Sequence, residues 1–316
     1  MKVFAPGKLV LTGAYAVLGG APAIVMATDR GAYADSSRTN PPDMPRSAEV
    51  RAALGDIAPP HIDASSLFLG GRKLGLGASA AILVASLGAL EAARGADLAD
   101  AGVRAALFDR ARAAHATAQN GGSGVDVAAS IHGGVLEYVP GVSTPRTLPP
   151  GTVIHVFACG TSASTAALRG QVDLFASTSP ATYRPCIEDL ETIAHEAAAA
   201  VNDGDRDALI GAVRRAARAL SRLGVSASAP IVPAGFGALE DIAAAEGAAF
   251  CVSGAGGGDV AAFVGSASPT PAFVKRAHAH GLFEIDVKLD EKGVRAATQS
   301  SGARIRAGAA DATSSS

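Results

Sequence analysis

Apolar positions along the chain fall into runs separated by glycine and proline. Val3 to Leu11 and Ala23 to Ala27 are rich in β-branched and aliphatic residues and predict two strands, joined through a turn at Gly19-Gly20. Ala78 to Ala93 is apolar on every face, the pattern of a buried helix, and ends near Gly95. Leu98 to Gln119 predicts a second helix that stops before Asn120-Gly121-Gly122, and Val127 to His132 a short third one. Residues 36 to 49 are polar and proline-rich and predict a surface loop. Pro140 to Pro150 predicts a linker.

Beyond that linker the pattern predicts a strand at Thr152 to Ala158. Helices follow at Tyr183 to Asn202, Asp205 to Leu223 and Phe236 to Glu246, with strands at Ala248 to Val252, Val260 to Val264 and Leu282 to Leu289. The last stretch, 303 to 316, is mostly small residues and is expected to be disordered. The alternation lacks the regular repeat of a doubly wound sheet. It favours an α+β protein of two domains, residues 1–150 and 151–302.

Composition narrows the function classes. With 48% hydrophobic and 18% charged residues, the chain has ample material for a core. A net charge of -2 provides no basic field for nucleic acid, and the lack of tryptophan with 4% aromatics argues against base-stacking platforms. The three cysteines, Cys159, Cys186 and Cys251, are widely spaced and predict free thiols rather than a zinc site. No uncharged apolar stretch reaches the ~20 residues of a membrane span, and no signal-peptide pattern opens the chain. A cytoplasmic monomer or homodimer without membrane or nucleic-acid partners is expected.

Glycine is concentrated at points that suggest chemistry. In Lys73-Leu-Gly75-Leu76-Gly77-Ala78-Ser79-Ala80-Ala81 a tight turn feeds the start of the buried helix. A helix start offers unpaired N–H groups and about half a positive charge, and glycines let backbone close on a phosphate. Ser79 adds a hydroxyl in the first turn, and Arg72 and Lys73 add charge. No Gly-Lys-Ser/Thr closes the loop, so it is not a Walker A loop. Two further segments are Asn120-Gly-Gly-Ser123-Gly124-Val-Asp126 and Ser253-Gly254-Ala255-Gly256-Gly257-Gly258-Asp259. Taken singly, each has a bland reading. The first is a tight loop, Asp126 a helix-start carboxylate, Lys8 a solvated lysine at a strand end, and Ser164 and Thr165 helix caps.

Together with Pro6-Gly7-Lys8, these segments in this order resemble the GHMP kinase family, over residues 3 to about 264. Within it the phosphomevalonate kinases are most similar, through Gly71-Arg72-Lys73-Leu-Gly75-Leu76-Gly77, Gly122-Ser123-Gly124-Val-Asp126, Ala163-Ser164-Thr165 and Asp259. The resemblance implies a ribosomal-protein-S5-like N-terminal domain, a ferredoxin-like C-terminal domain, and ATP-dependent phosphorylation of 5-phosphomevalonate with Mg²⁺. It assigns catalytic roles to Lys8, Asp126 and Lys73. It assigns ATP binding to Lys73, Gly75, Leu76, Gly77, Ala78, Ser79 and Ala80, with Ser79 as a magnesium ligand. Acceptor binding falls to Tyr15, Arg72, Ser123, Gly124, Ser164, Thr165, Gly254, Ala255 and Gly256.

The chain departs from the family pattern at several points. Ala78 replaces the first loop serine, Ala166 and Ala167 follow Thr165 where an arginine is usual (Arg169 lies further on), and Cys251 stands where a basic residue is usual. Gly13-Ala14-Tyr15 replaces the Gly-Glu-His of mevalonate kinases. His115 replaces their magnesium-binding glutamate eleven residues before the loop aspartate, and imidazole is a poor Mg²⁺ ligand. Magnesium is then expected mainly on the ATP phosphates. Mevalonate kinase, another small-alcohol kinase, and a non-catalytic nucleotide- or metabolite-binding protein on the same fold remain alternatives.

Overall fold

A computed structural model describes residues 1–40, 46–119, 121–160 and 164–297. Asn120, Ala163 and the expected tail at 303–316 lie outside these.

In chain order the strands and helices are β1 Lys2–Thr12, β2 Ala23–Thr39, α1 Ala48–Leu54, β3 Pro60–Asp63, β4 Phe68–Leu69, β5 Arg72–Lys73, α2 Ala78–Ala93, α3 Ala101–Ala118, α4 Val125–His132, β6 Val135–Val139, β7 Val142–Arg146 and β8 Val153–Cys159. Then come α5 Thr165–Thr178, α6 Pro180–Asp203, α7 Arg206–Ser226, α8 Phe236–Ala245, β9 Ala249–Val252, β10 Val260–Gly265, α9 Pro271–Ala279, β11 Leu282–Ile285 and β12 Arg295–Ala296.

Two main sheets organise them. The first has the order β12-β1-β2-β6-β7, with β3 also paired to β2. The second has the order β11-β8-β10-β9. All the pairings are antiparallel. The mixed architecture agrees with the α+β expectation.

β1 pairs with β2 along most of its length, but the register shifts between Pro6 and Gly7. Proline cannot donate to the ladder, so an interior strand accepts it at such an irregularity. The Pro6 carbonyl instead takes a hydrogen bond from Ser130 Oγ at 2.7 Å. Gly7 has no room for a side chain, since a β-carbon there would stand 2.4 Å from the Leu76 carbonyl oxygen. This close approach brings the glycine turn before α2 against β1, and the Lys8 N–H donates to that same carbonyl at 2.9 Å. α2 is buried on most faces, as its unbroken apolar run requires, and packs against β1, β2, α1, α3 and α4.

Three expectations need correction. β2 extends to Thr39 because its polar half, which reads locally as loop, pairs with β1 through Asp35 and with β3. The span 140–150 is not simply a linker: it carries β7, paired to β6 across Gly141, and Pro145 is tolerated because β7 is the sheet edge. The final strand is shorter than Leu282 to Leu289. After Ile285 the chain leaves β8 and crosses to the first sheet, where Leu289 bridges Thr28 and β12 pairs with β1.

Candidate active site

The sequence motifs converge on one cavity of about 250 Å³. Its wall includes Lys8 of β1, Lys73 of β5, Gly75, Gly77, Ala78 and Ser79 at the start of α2, Ser123 to Asp126 at the start of α4, and Ser253 to Gly256. Both helix starts have glycine N-caps in the left-handed region, Gly77 at φ 77° and Gly124 at φ 82°, and neither has a side-chain cap. The two positive dipole ends therefore share one space, a fit to phosphate groups.

Lys8 lies at the centre. Its Nζ donates to the Gly75 carbonyl at 3.1 Å. Burial pulls its ammonium below the usual lysine range, against Asp126 and Asp259, which hold it up. Gly77 lies against the same side chain: a β-carbon there would come within 2.9 Å of Lys8 Cγ.

Asp126, in the first turn of α4, takes a hydrogen bond from the Val127 N–H at 3.0 Å. Its Oδ2 is 3.2 Å from Nε2 of His115, which reaches it from α3. Burial favours the neutral acid, but the charge and hydrogen bond of His115, with Lys8 behind, outweigh it and bring the carboxyl to about 2. The imidazole responds in the opposite sense. Burial disfavours its charge, yet Asp126 and Glu49 together raise His115 above its ordinary range. Behind it, Gln119 Nε2 lies 3.0 Å from His115 Nε2 and donates to Glu49 Oε1 at 3.1 Å.

The third glycine segment is tied to the first motif from two sides. The Val10 N–H donates to Ser253 Oγ at 2.9 Å, and the Tyr15 hydroxyl donates to the Ala255 carbonyl at 2.9 Å. Tyr15 sits at φ 63° beside a 3-10 turn, and burial pushes its phenol up. It thus props the loop as well as lining the cavity.

Some expected site residues stand elsewhere. Leu76 and Ala80 are fully buried and do not line the cavity. Arg72 is outside the lining, and its guanidinium donates to the Gly160 carbonyl. Ser164 caps α5, accepting from the Ala167 N–H at 3.3 Å, while Thr165 lines the cavity. Arg169 lines it too, with its guanidinium over Gly121, 3.0 Å from where a β-carbon would stand.

Sequence reasoning missed His115 as the partner of Asp126, along with Gln119 and Glu49 behind it. The signal that could have found it is the spacing, since His115 stands eleven residues before Asp126, where mevalonate kinases carry a magnesium-binding glutamate. Among the described residues no group of three or more His, Cys, Asp or Glu could hold a metal ion. No described helix is long and apolar enough to cross a membrane.

No family model matches the chain. The phosphomevalonate kinase of Streptomyces sp. (strain CL190) is 30% identical over 331 residues, covering 81% of this chain and 87% of the relative. The crystal structure of the Lin0012 protein from Listeria innocua superposes with a TM-score of 0.79 at 22% identity, covering 93% of this chain and 98% of that one. Streptococcus pneumoniae phosphomevalonate kinase, in complex with phosphomevalonate and AMPPNP, superposes with a TM-score of 0.73 at 18% identity, covering 92% and 99%. With this fold and a curated relative at that identity over most of its length, the chain belongs to the GHMP kinase family.

Proposed function

We propose that the chain transfers a phosphoryl group from ATP to the phosphate of 5-phosphomevalonate, giving 5-diphosphomevalonate. The observation that carries this is the state of Asp126. A carboxyl held at about 2 and paired with His115 is a very weak base. An alcohol acceptor must lose a proton during transfer. A phosphate acceptor is already ionised near neutral pH and needs none. The relative and the complexed neighbour described above support the same substrate.

ATP supplies the transferred group, and Mg²⁺ accompanies its phosphates. The start of α2, from Gly77 to Ser79, offers backbone N–H groups to those phosphates, and the Ser79 hydroxyl is the candidate protein ligand for the metal. Lys8 and Lys73 offset charge where the two anions meet. Asp126 acts on Lys8 through its charge rather than by removing a proton. Thr165, Ser123 and the 254–256 loop border the space left for the acceptor.

Coupled ADP release with 5-phosphomevalonate, mevalonate, galactose and homoserine tests this reading. Two charged hydrogen bonds to the acceptor phosphate, at roughly 1.5–3 kcal/mol each, predict a kcat/KM for 5-phosphomevalonate at least ~10³-fold above that for mevalonate. Comparable values would promote an alcohol kinase. No ADP release with any acceptor would leave a non-catalytic binding protein.

A further inference from the structure

The charged side chains lining the cavity are Lys8, Lys73, Asp126, Arg169 and Asp259, with His115 among them. Asp126 presents a difficulty for the proposed acceptor. A bare carboxylate suits a neutral hydroxyl but repels a phosphate brought against it. The Asp126 side chain is mostly buried, so water screens that repulsion less than it would at the surface.

His115 stands where it can remove the difficulty. It is only 4% exposed, and its Nε2 lies 3.2 Å from Asp126 Oδ2. The groups facing it are Asp126 from α4, Gln119 from its own helix and Glu49 from α1; a charged ring donates Nε2–H to Asp126, so the Gln119 amide nitrogen, 3.0 Å from the same Nε2, must turn away from it. Glu49 is buried and absent from the cavity wall, so it sustains the imidazolium without itself facing a ligand.

We propose that His115 is a positioning residue that fits this site to an anionic acceptor: seated against Asp126, it offsets the aspartate's charge so that a phosphate can approach Lys8. The inference rests on the phosphate-acceptor reading above and adds what determines it. With His115 protonated, the cluster of His115, Asp126 and Lys8 is net positive. With His115 neutral, it carries no net charge, and Glu49 behind makes the surroundings negative. The anionic acceptor therefore binds the protonated form better, and by linkage its binding draws a proton onto the protein.

The sign follows from the geometry. As pH rises through the folded-state titration of His115, above the ordinary histidine range, the KM for 5-phosphomevalonate rises. The KM values for ATP and for mevalonate do not follow it. His115→Gln keeps a hydrogen-bonding side chain but no charge. It should raise the KM for 5-phosphomevalonate about tenfold at pH 6.5, as expected for losing one charge at a short, weakly screened distance. It should also flatten that limb of the pH profile. Lys8 titrates in both proteins, so the difference between their profiles isolates His115.

The experiment is steady-state ADP release by the full chain from pH 6 to 9, with 5-phosphomevalonate or mevalonate as acceptor, for wild type and His115→Gln. A selective, pH-dependent rise in KM for the phosphorylated acceptor supports the inference. Equal changes in the KM for ATP and for the acceptor, or a change in kcat alone, would reduce His115 to a structural residue and overturn it. Calorimetric titration of wild type with 5-phosphomevalonate from pH 6 to 9, in two buffers of different ionisation enthalpy, stands even if the variant does not fold. The acceptor phosphate is dianionic at the upper end of that range, so proton uptake there belongs to the protein, and the absence of uptake at every pH refutes the inference. Turnover of 5-phosphomevalonate without these effects sinks only the role of His115. Failure to turn it over at any pH sinks the substrate reading and this inference with it.

Discussion

Replacing Gly77 by alanine separates backbone strain from site chemistry, because the fold contains a matched control. Gly77 has φ 77° and Gly71, in the β4–β5 turn, has φ 78°. An alanine at either position suffers the same left-handed penalty, about 1–2 kcal/mol. At about 2–4 °C per kcal/mol for a chain of this size, both variants should melt a few degrees below wild type. Their surroundings differ. A β-carbon at Gly71 meets nothing within 4 Å. At Gly77 it comes within 2.9 Å of Lys8 Cγ and 3.5 Å of Lys8 Cε, so the lysine must move. That movement disturbs the 3.1 Å bond from Lys8 Nζ to Gly75 O and crowds the backbone that faces the cavity. A charged hydrogen bond is worth about 1.5–3 kcal/mol, so kcat/KM should fall roughly ten- to a hundred-fold in Gly77→Ala and hardly at all in Gly71→Ala. Thermal unfolding and coupled ADP release measure the two quantities. Equal activity in the two variants would refute the placement of Lys8 and the α2 start at the reacting centre.

Two more changes probe separate parts of the site. Asp126→Asn should lower kcat by at least ~10²-fold with ATP affinity little altered, because the amide cannot pair with both Lys8 and His115 as a charge; calorimetric ATP titration beside turnover checks it, and a kcat within a few-fold of wild type would remove Asp126 from the mechanism. Tyr15→Phe leaves the Ala255 carbonyl without its donor and should cost about 1 kcal/mol of stability while raising the acceptor KM, read from denaturant midpoints and kinetics.

The glycine loops were legible because their signal is local. A glycine pair before an apolar run is a helix start wherever it occurs, and α2 begins and ends where its pattern predicts, at Ala78 and Ala93. Asp126 could be placed for the same reason, one residue inside α4. Its partner was only half legible. The spacing marked His115 as a site position, but the contact itself depends on how α3 and α4 cross, and packing sets that crossing. The polar half of β2 was hidden in the same way, since Asp35, Ser36 and Ser37 have weak strand propensity and are held by β1 and β3. Arg72 shows the converse: its charge beside a phosphate loop predicts a ligand contact, and in the structure the side chain lies outside the cavity wall and donates to the Gly160 carbonyl.

The pairing of Val3 with Ala296 has a consequence for synthesis on the ribosome. β1 is made first, yet one of its two edges waits for nearly the whole chain. At about 5–20 residues per second, that wait is roughly 15–60 s. Until β12 arrives, β1 leaves its edge open at Val3 and Phe4, a short stretch of the kind of edge that recruits other chains. The Asp290 carbonyl, which takes the Gly134 N–H at 2.7 Å, and the Asp290 N–H, which donates to Ala27, come equally late. Lys8, which the proposed mechanism places at the reacting centre, sits on this strand. It pairs with Ala27 and meets Gly75 and Leu76 long before β12 arrives, so the strand's Lys8 end can form while its Val3 and Phe4 end still waits for closure.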